Sequence, residues 1–155
     1  YDTQGSCFKR YWGRPEKTEA KVEDGWLYTE DLGTMDEDGY FGFETRKDDI
    51  IISSGYKVSP DEIEDTLAKH DSVADTGVIG VPHEKRGEVA RAYVELNNPA
   101  NGSDELKNEL QSFVKDELAK YEYPREVEFT DELPLTATGK ISRSDLRDWA
   151  GLAED

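Results

Sequence analysis

Four clusters of polar residues in this chain have types and spacings suited to chemistry. Lys140 follows Gly139 in a loop that also holds Pro134, Thr136 and Thr138. A lysine on a glycine-containing loop can swing its compact cation onto a phosphate or carboxylate oxygen, stabilising charge that develops in a transition state. It can equally be a surface lysine, and composition does not separate the two. Asp31 lies in Thr29-Glu30-Asp31-Leu32-Gly33, a short turn between two apolar stretches. A carboxylate fixed there can accept two hydrogen bonds from a vicinal diol such as a ribose, or simply organise the turn. Arg46-Lys47-Asp48-Asp49 joins regions of different character and reads as a hinge or as a solvated charge run. Ser54-Gly55-Tyr56-Lys57 sits between a buried strand and a helix start, where glycine permits close backbone approach to a ligand or merely makes a turn.

Other motifs fail on their chemistry. Asp36-Glu37-Asp38-Gly39 resembles part of a calcium loop, but with Gly39 at position 6 the carboxylate positions 1 and 12 fall on Thr34 and Thr45. Gly139-Lys140 resembles the end of a phosphate-binding P-loop. Pro134 stands where its first glycine belongs, and Ile141 where a hydroxyl would hold magnesium. His70 and His83 are far apart, and Cys7 is far from both, which argues against a metal site or a Cys-His nucleophile. A single cysteine forms no intramolecular disulfide, so nothing points to secretion.

The elements that must position these residues follow from periodicity. Residues 1–47 read as turns and short strands, with Trp26-Leu27-Tyr28 and Leu32 to Met35 as strands. A turn at Asp36–Gly39 and a return over Tyr40 to Glu44 complete a hairpin. Ile50-Ile51-Ile52 begins a buried strand. Ser59-Pro60-Asp61-Glu62 is a helix start, with a serine cap, proline at the first helical position and glutamate three residues after the cap. Val73 to Val81 reads as a strand ended by Pro82, and Val89 to Leu96 as a second. Ser103 caps a helix whose Leu106, Leu110, Phe113, Val114 and Leu118 recur at helical spacing. A short strand at Glu126–Phe129, a loop over Leu133–Lys140 and a helix over Ser142–Ala150 complete the chain. The expected class is α+β, with a short sheet covered by two or three helices after a β-rich segment.

Charge narrows the partners. Nineteen Lys and Arg against thirty-six Asp and Glu leave a net charge of −17. That excess disfavours nucleic acid and anionic membrane surfaces. Three Trp, eight Tyr and five Phe in periodic segments argue for a folded chain. The carboxylates are dispersed rather than blocked, which suggests a surface kept soluble in concentrated salt, where screening makes self-repulsion cheap. No stretch approaches the roughly 20 apolar residues of a membrane span, and the N-terminus has no signal-peptide pattern, so the default compartment is the cytoplasm. Tyr1 to Arg10 lacks an initiating Met and opens as if within a longer chain.

Taken in order, the segments resemble the AMP-forming acyl-CoA synthetases of the adenylate-forming superfamily. The resemblance is carried by Tyr11-Trp12-Gly13-Arg14-Pro15-Glu16-Lys17-Thr18, Gly25 through Gly33, and Arg46-Lys47-Asp48-Asp49-Ile50-Ile51. It continues through Ser54 to Glu64, Tyr123-Pro124-Arg125 and Leu133 to Ile141. It implies that a carboxylic acid attacks the α-phosphate of ATP, supplied with Mg2+, to give acyl-adenylate and pyrophosphate. CoA thiol then displaces AMP. By resemblance, Asp31 and Arg46 hold the ribose, Asp48 is the hinge and Lys140 is the catalytic lysine of adenylation. Ser54, Gly55 and Tyr56 line the pantetheine tunnel, and Lys57, Arg86 and Lys115 meet the CoA phosphates. Residues 1–47 then correspond to the end of a large N-terminal domain, and 48–155 to the mobile C-terminal domain. No magnesium ligand falls in this chain, and the large domain, CoA and acyl-adenylate are the implied partners. The chain alone is expected to be inactive, because one wall of a reacting centre cannot position acid, ATP and CoA together. Ser54-Gly55-Tyr56-Lys57, Arg86-Gly87-Glu88 and Tyr121 to Arg125 are most similar to the medium-chain and acetyl-CoA synthetase-like branch, hence a short- or medium-chain acid. Two departures stand out: Glu30 and Thr45 occupy positions where the family usually has glycine. The competing readings are an adenylation domain or aryl-CoA ligase of the same superfamily, and a stand-alone, non-catalytic nucleotide- or partner-binding module.

Overall fold

A computed structural model of the chain describes residues 9–152, so Cys7 lies outside the described residues. The chain divides between Lys47 and Asp48 into two compact units.

The first unit is built from local turns. A short helix, α1 (Pro15–Glu19), carries proline in its first turn. The strands β1 (Val22–Glu23) and β2 (Trp26–Leu27) pair antiparallel. Their turn residues Asp24 and Gly25 both have positive φ, 49° and 79°, the backbone that two-residue hairpins demand. A second hairpin joins β3 (Asp31–Met35) to β4 (Phe41–Arg46) with a register shift between Leu32 and Gly33. Gly33 is required there, because a Cβ would collide with the Gly42 carbonyl oxygen. The turn at 36–39 is organised by Asp36, whose carboxylate accepts from the amides of Asp38 at 3.0 Å and Tyr40 at 2.8 Å. Thr45 is the one buried residue among those described in this unit.

The second unit holds a five-stranded sheet. Its strands are β5 (Ile51–Ser53), β6 (Tyr56–Val58), β7 (Val73–His83), β8 (Gly87–Leu96) and β9 (Glu126–Thr130). Along one edge β8 pairs with β7 over its whole length; along the other it meets β5 at Gly87 and then β9 in parallel from Arg91 to Glu95. Side chains alternate between two buried clusters. Val78, Ala90, Ala92 and Val94 face Ile63 and Leu67 of α2 (Pro60–Leu67) and Leu106, Leu110 and Val114 of α3 (Asp104–Glu117). Ile79, Val81, Val89 and Tyr93 face Leu146 of α4 (Arg143–Trp149) on the other side. Gly77 lets α4 approach: a Cβ there would meet Leu146 Cδ1 at 2.6 Å and Ile141 Cγ2 at 2.8 Å. All three long helices start on the expected serines, with Ser59, Ser103 and Ser142 accepting from the amides of Glu62, Leu106 and Asp145.

The expected α+β class, with a small sheet covered by helices, is the observed one. Three local expectations need correction. Pro82 does not end its strand: β7 runs on to His83, paired with Gly87. Because β7 is the outermost strand and the Val78 amide points away from β8 to Glu64, residues of the same parity face the open edge. Pro82 is one of them, and its missing N–H costs no ladder bond there. Ser54–Lys57, read as a turn between a strand and a helix, is a turn only at Ser54 and Gly55, whose φ of 52° and 84° make a two-residue hairpin that returns as the strand Tyr56–Val58 beside β5. Finally, residues 1–47 hold α1 in addition to turns and strands. No helix among the described residues is long and apolar enough to cross a membrane.

Candidate functional site

In the first unit, the register of β3 and β4 sets Asp31 directly opposite Arg46. Cross-strand partners project from the same face, so a carboxylate and a guanidinium stand side by side at the open end of the hairpin. The turn before Asp31 is shaped by its backbone, whose N–H donates to Thr29 Oγ1 at 3.2 Å. Glu30 takes a left-handed φ of 65°, and its carbonyl accepts from the Lys47 amide at 2.8 Å. Glutamate therefore adopts the conformation that glycine adopts freely, at a cost of about 1 kcal/mol. Its carboxylate is drawn aside to Lys21 Nζ at 2.8 Å. Thr45 keeps its place opposite Leu32 in the ladder, although its buried Oγ1 has no hydrogen-bond partner. Both departures from glycine leave the hairpin intact.

In the second unit, Lys140 occupies a stapled loop between β9 and α4. Leu135 and Ile141 bridge antiparallel at its base. The Thr136 amide donates to the Lys140 carbonyl at 2.7 Å, and the Lys140 amide donates to Thr136 Oγ1 at 3.1 Å. Gly139, with φ of 81°, supplies the turn. The backbone of Lys140 is thus fixed while its side chain stands exposed, with no carboxylate within ion-pair distance among the described residues. A fixed stalk bearing an unpaired ammonium can deliver a point charge to an anion.

The hairpin β5–β6 gathers a second group. The Arg86 guanidinium donates to Ser54 Oγ at 3.1 Å, and the Ser54 amide donates to the Arg86 carbonyl at 2.8 Å. Tyr56 stacks on Tyr121, ring centroids 4.4 Å apart. Two residues on, Tyr123 carries Lys115 Nζ 4.0 Å from its ring centre and the Arg125 guanidinium at 4.7 Å. Lys57, exposed on β6, follows Tyr56. Ser54, Gly55, Tyr56 and Arg86 therefore meet at one corner, while Lys115, on α3, sets its ammonium over Tyr123, two residues from the ring that stacks on Tyr56. Tyr121, Tyr123 and Arg125 were not assigned roles from the sequence. The usable signal was aromatic residues alternating with a cation beside a proline.

A third group was not foreseen. Arg143, at the start of α4, bonds Asp49 Oδ2 at 3.2 Å, Asp61 Oδ1 at 3.0 Å and Glu64 Oε2 at 2.7 Å. Arg147 takes the other Asp49 oxygen at 2.8 Å. Glu64 also accepts from the outward-pointing Val78 amide at 2.7 Å. Burial pushes the Glu64 carboxyl up to about 7, against the opposing pull of Arg143 and of that amide. For Arg143, burial works against the charge, but the surrounding carboxylates hold it above its ordinary value. These residues lie some eighty to a hundred positions apart, so no local pattern reveals them.

The profile of the AMP-binding enzyme C-terminal domain family matches residues 62–140. The chain belongs to this family. Among similar proteins, an uncharacterised acyl-CoA ligase, YtcI, of Bacillus subtilis is 48% identical over 142 residues, covering 92% of this chain and 27% of the relative. The human mitochondrial acyl-coenzyme A synthetase ACSM1 is 50% identical over 145 residues, covering 92% of this chain and 25% of the relative. This AMP-binding enzyme C-terminal domain protein thus spans about a quarter of the length of the curated relatives it matches. The structure of ATP-bound MatB from Rhodopseudomonas palustris superposes with a TM-score of 0.80 at 35% identity, over 92% of this chain and 28% of that one. The o-succinylbenzoate CoA synthetase of Bacillus subtilis, solved with its acyl-adenylate intermediate, gives 0.79 at 38% identity, over 90% and 28%.

Proposed function

We propose that this chain serves an AMP-forming acyl-CoA synthetase, with residues 1–47 ending a large domain and 48–155 forming the domain that moves against it. The observation that carries this reading is the stapled loop of Lys140, whose exposed ammonium faces no carboxylate among the described residues. In the adenylation half-reaction the acid's carboxylate oxygen attacks the α-phosphorus of ATP, supplied as its magnesium complex, and pyrophosphate leaves. Lys140 offsets the charge that gathers on the oxygens in flight. Asp31 and Arg46, paired across the hairpin, hold the ribose. Rotation at Asp48 then withdraws Lys140 and brings in the corner of Ser54, Gly55, Tyr56 and Arg86, with Lys57 and Lys115 supplying cations to the CoA phosphates. The CoA thiol attacks the acyl carbonyl, and AMP departs. The likeness to acyl-CoA and acetyl-CoA synthetases favours a short- or medium-chain acid.

Exposed aromatic residues support the first assignment. Trp12 is 90% and Phe41 82% exposed, on a unit with almost no interior; we read these side chains as ones the rest of the large domain covers. The dispersed charge of −17 we read as an adaptation to concentrated salt. The test is a calorimetric titration of the chain with CoA in molar salt. Weak binding, lost when Lys57, Arg86 and Lys115 are all changed to alanine, is the expected result. Binding that survives in the triple variant would remove these residues from the CoA site.

A stand-alone binding module is the second reading, favoured by the tyrosine and arginine cluster that needs no second domain to assemble. CoA binding of the expected strength together with pyrophosphate release by no longer form of the protein would select it.

A further inference from the structure

We propose that Arg143 is a positioning residue for Lys140, clamping the segment that follows Asp48 to the helix that follows Lys140. The inference rests on the roles given above to Asp48 and Lys140. Asp49 is the next residue after the pivot, and Arg143 is the first residue of α4, three positions beyond Lys140. Between them the covalent path runs through more than ninety residues. The direct link is ionic: Asp49 gives one oxygen to Arg143 and the other to Arg147, one turn further along the same helix face. The Asp49 side chain is only 11% exposed and that of Arg143 19%, so water competes weakly for the pair.

The hairpin β5–β6 also joins the larger sheet directly, through the pair Ser53 with Gly87, the Ile52 amide on Glu88, the Ser54–Arg86 bonds and the packing of Ile51 and Val58, but none of these links reaches α4. Arg143 adds a rigid bracket at the open edge of β7, where α2 supplies Asp61 and Glu64 from one face and α4 supplies both arginines from the other. A bracket of this kind is a poor device for stability alone. Buried ion pairs often stabilise less than apolar side chains of the same volume, and here Arg143 Nε and Asp61 Oδ2 remain buried without partners. What the bracket supplies is fixed geometry: a turn of the backbone at Asp48 reaches the base of the Lys140 loop without slack. Ser142, the cap of α4, extends the link by donating its amide to the Pro134 carbonyl at 2.8 Å, across that same base.

The test uses a full-length protein in which this chain replaces the matching quarter of the Bacillus subtilis acyl-CoA ligase. Asp49→Asn and Arg143→Gln are each expected to lower kcat for pyrophosphate release at least tenfold, with KM for ATP changed less than twofold. Thioester formation from supplied acyl-adenylate should stay within twofold. Arg143→Lys should be as impaired as Arg143→Gln, since an ammonium cannot bridge three carboxylates, whereas Asp49→Glu should recover part of the rate. Equal losses in both half-reactions, or no loss, would overturn the clamp. Lys140→Ala is the control: if it spares adenylation, the catalytic reading fails and the clamp with it; if it abolishes adenylation while Asp49→Asn does not, only the clamp fails. Should the replaced protein not fold, amide exchange in the chain itself decides. Asp49→Asn should speed exchange at Thr136, Gly139 and Lys140 at least tenfold, and unchanged protection there would overturn the proposal.

Discussion

The two units solve the problem of folding in opposite ways. Residues 48–155 enclose apolar clusters on both faces of a sheet, with Ile63, Leu67, Leu110 and Leu146 wholly removed from water. Residues 9–47 make hairpins by turn chemistry alone and leave Tyr40, Phe41 and Phe43 largely in solvent. Hydrophobic burial is the main favourable term in folding, so the second unit carries the stability of the chain. The first holds shape mainly through backbone hydrogen bonds and left-handed turns. The polar groups proposed for chemistry follow the same division: Asp31 and Arg46 stand on a hairpin without a core, whereas Lys140 and the corner of Ser54, Tyr56 and Arg86 rest on a packed scaffold.

Substitutions should break this contrast unequally. Leu110→Ala removes a fully buried side chain between α3 and the sheet, and should lower the unfolding free energy by about 2–5 kcal/mol in denaturant titrations. Next in size is the pH response of Glu64. Folding raises its carboxyl from an ordinary 4.5 to about 7, so the native state binds this proton more tightly than the unfolded chain. The resulting stabilisation is complete below pH 4.5 and is lost as pH rises to 7, a change of at most about 3 kcal/mol. Stability curves of the parent and Glu64→Gln chains across that interval should differ in slope, the variant being flatter. A smaller gain is expected from Glu30→Gly, which relieves the left-handed backbone by about 1 kcal/mol while giving up the half-buried pair with Lys21; amide exchange at Lys47 would show it as added protection. Smallest is Phe41→Ala, within about 0.5 kcal/mol in this chain because the ring is already in water. The same substitution should cost more in the full-length replacement, if the large domain covers this ring.

The sequence was legible where structure is decided locally. The serine caps, the proline at the first position of α2 and the leucine periodicity of α3 are short-range patterns, and the helices start where those patterns place them. The Asp36 turn was legible for the same reason. Pro82 misled because its effect depends on whether β7 lies at an edge, a property of the assembled sheet. Strand β6 was hidden because Ser54 takes a positive φ that few non-glycine residues accept. Of the candidate sites, the Lys140 loop and the Ser54–Lys57 turn were visible as glycine-bearing segments, and the resemblance supplied the roles proposed for them. The bracket of Asp49, Asp61, Glu64, Arg143 and Arg147 was invisible, since charged residues are common here and only the fold says which of them meet.

The most direct test separates the two half-reactions in the full-length replacement. With Lys140→Ala, pyrophosphate release from acid and ATP should fall by about a thousandfold or more, as expected when a group aimed at developing charge is removed. Thioester formation from supplied acyl-adenylate and CoA should persist near the parent rate. Equal loss in both steps, or an adenylation rate that survives the substitution, would contradict the role of Lys140 and the account built on it.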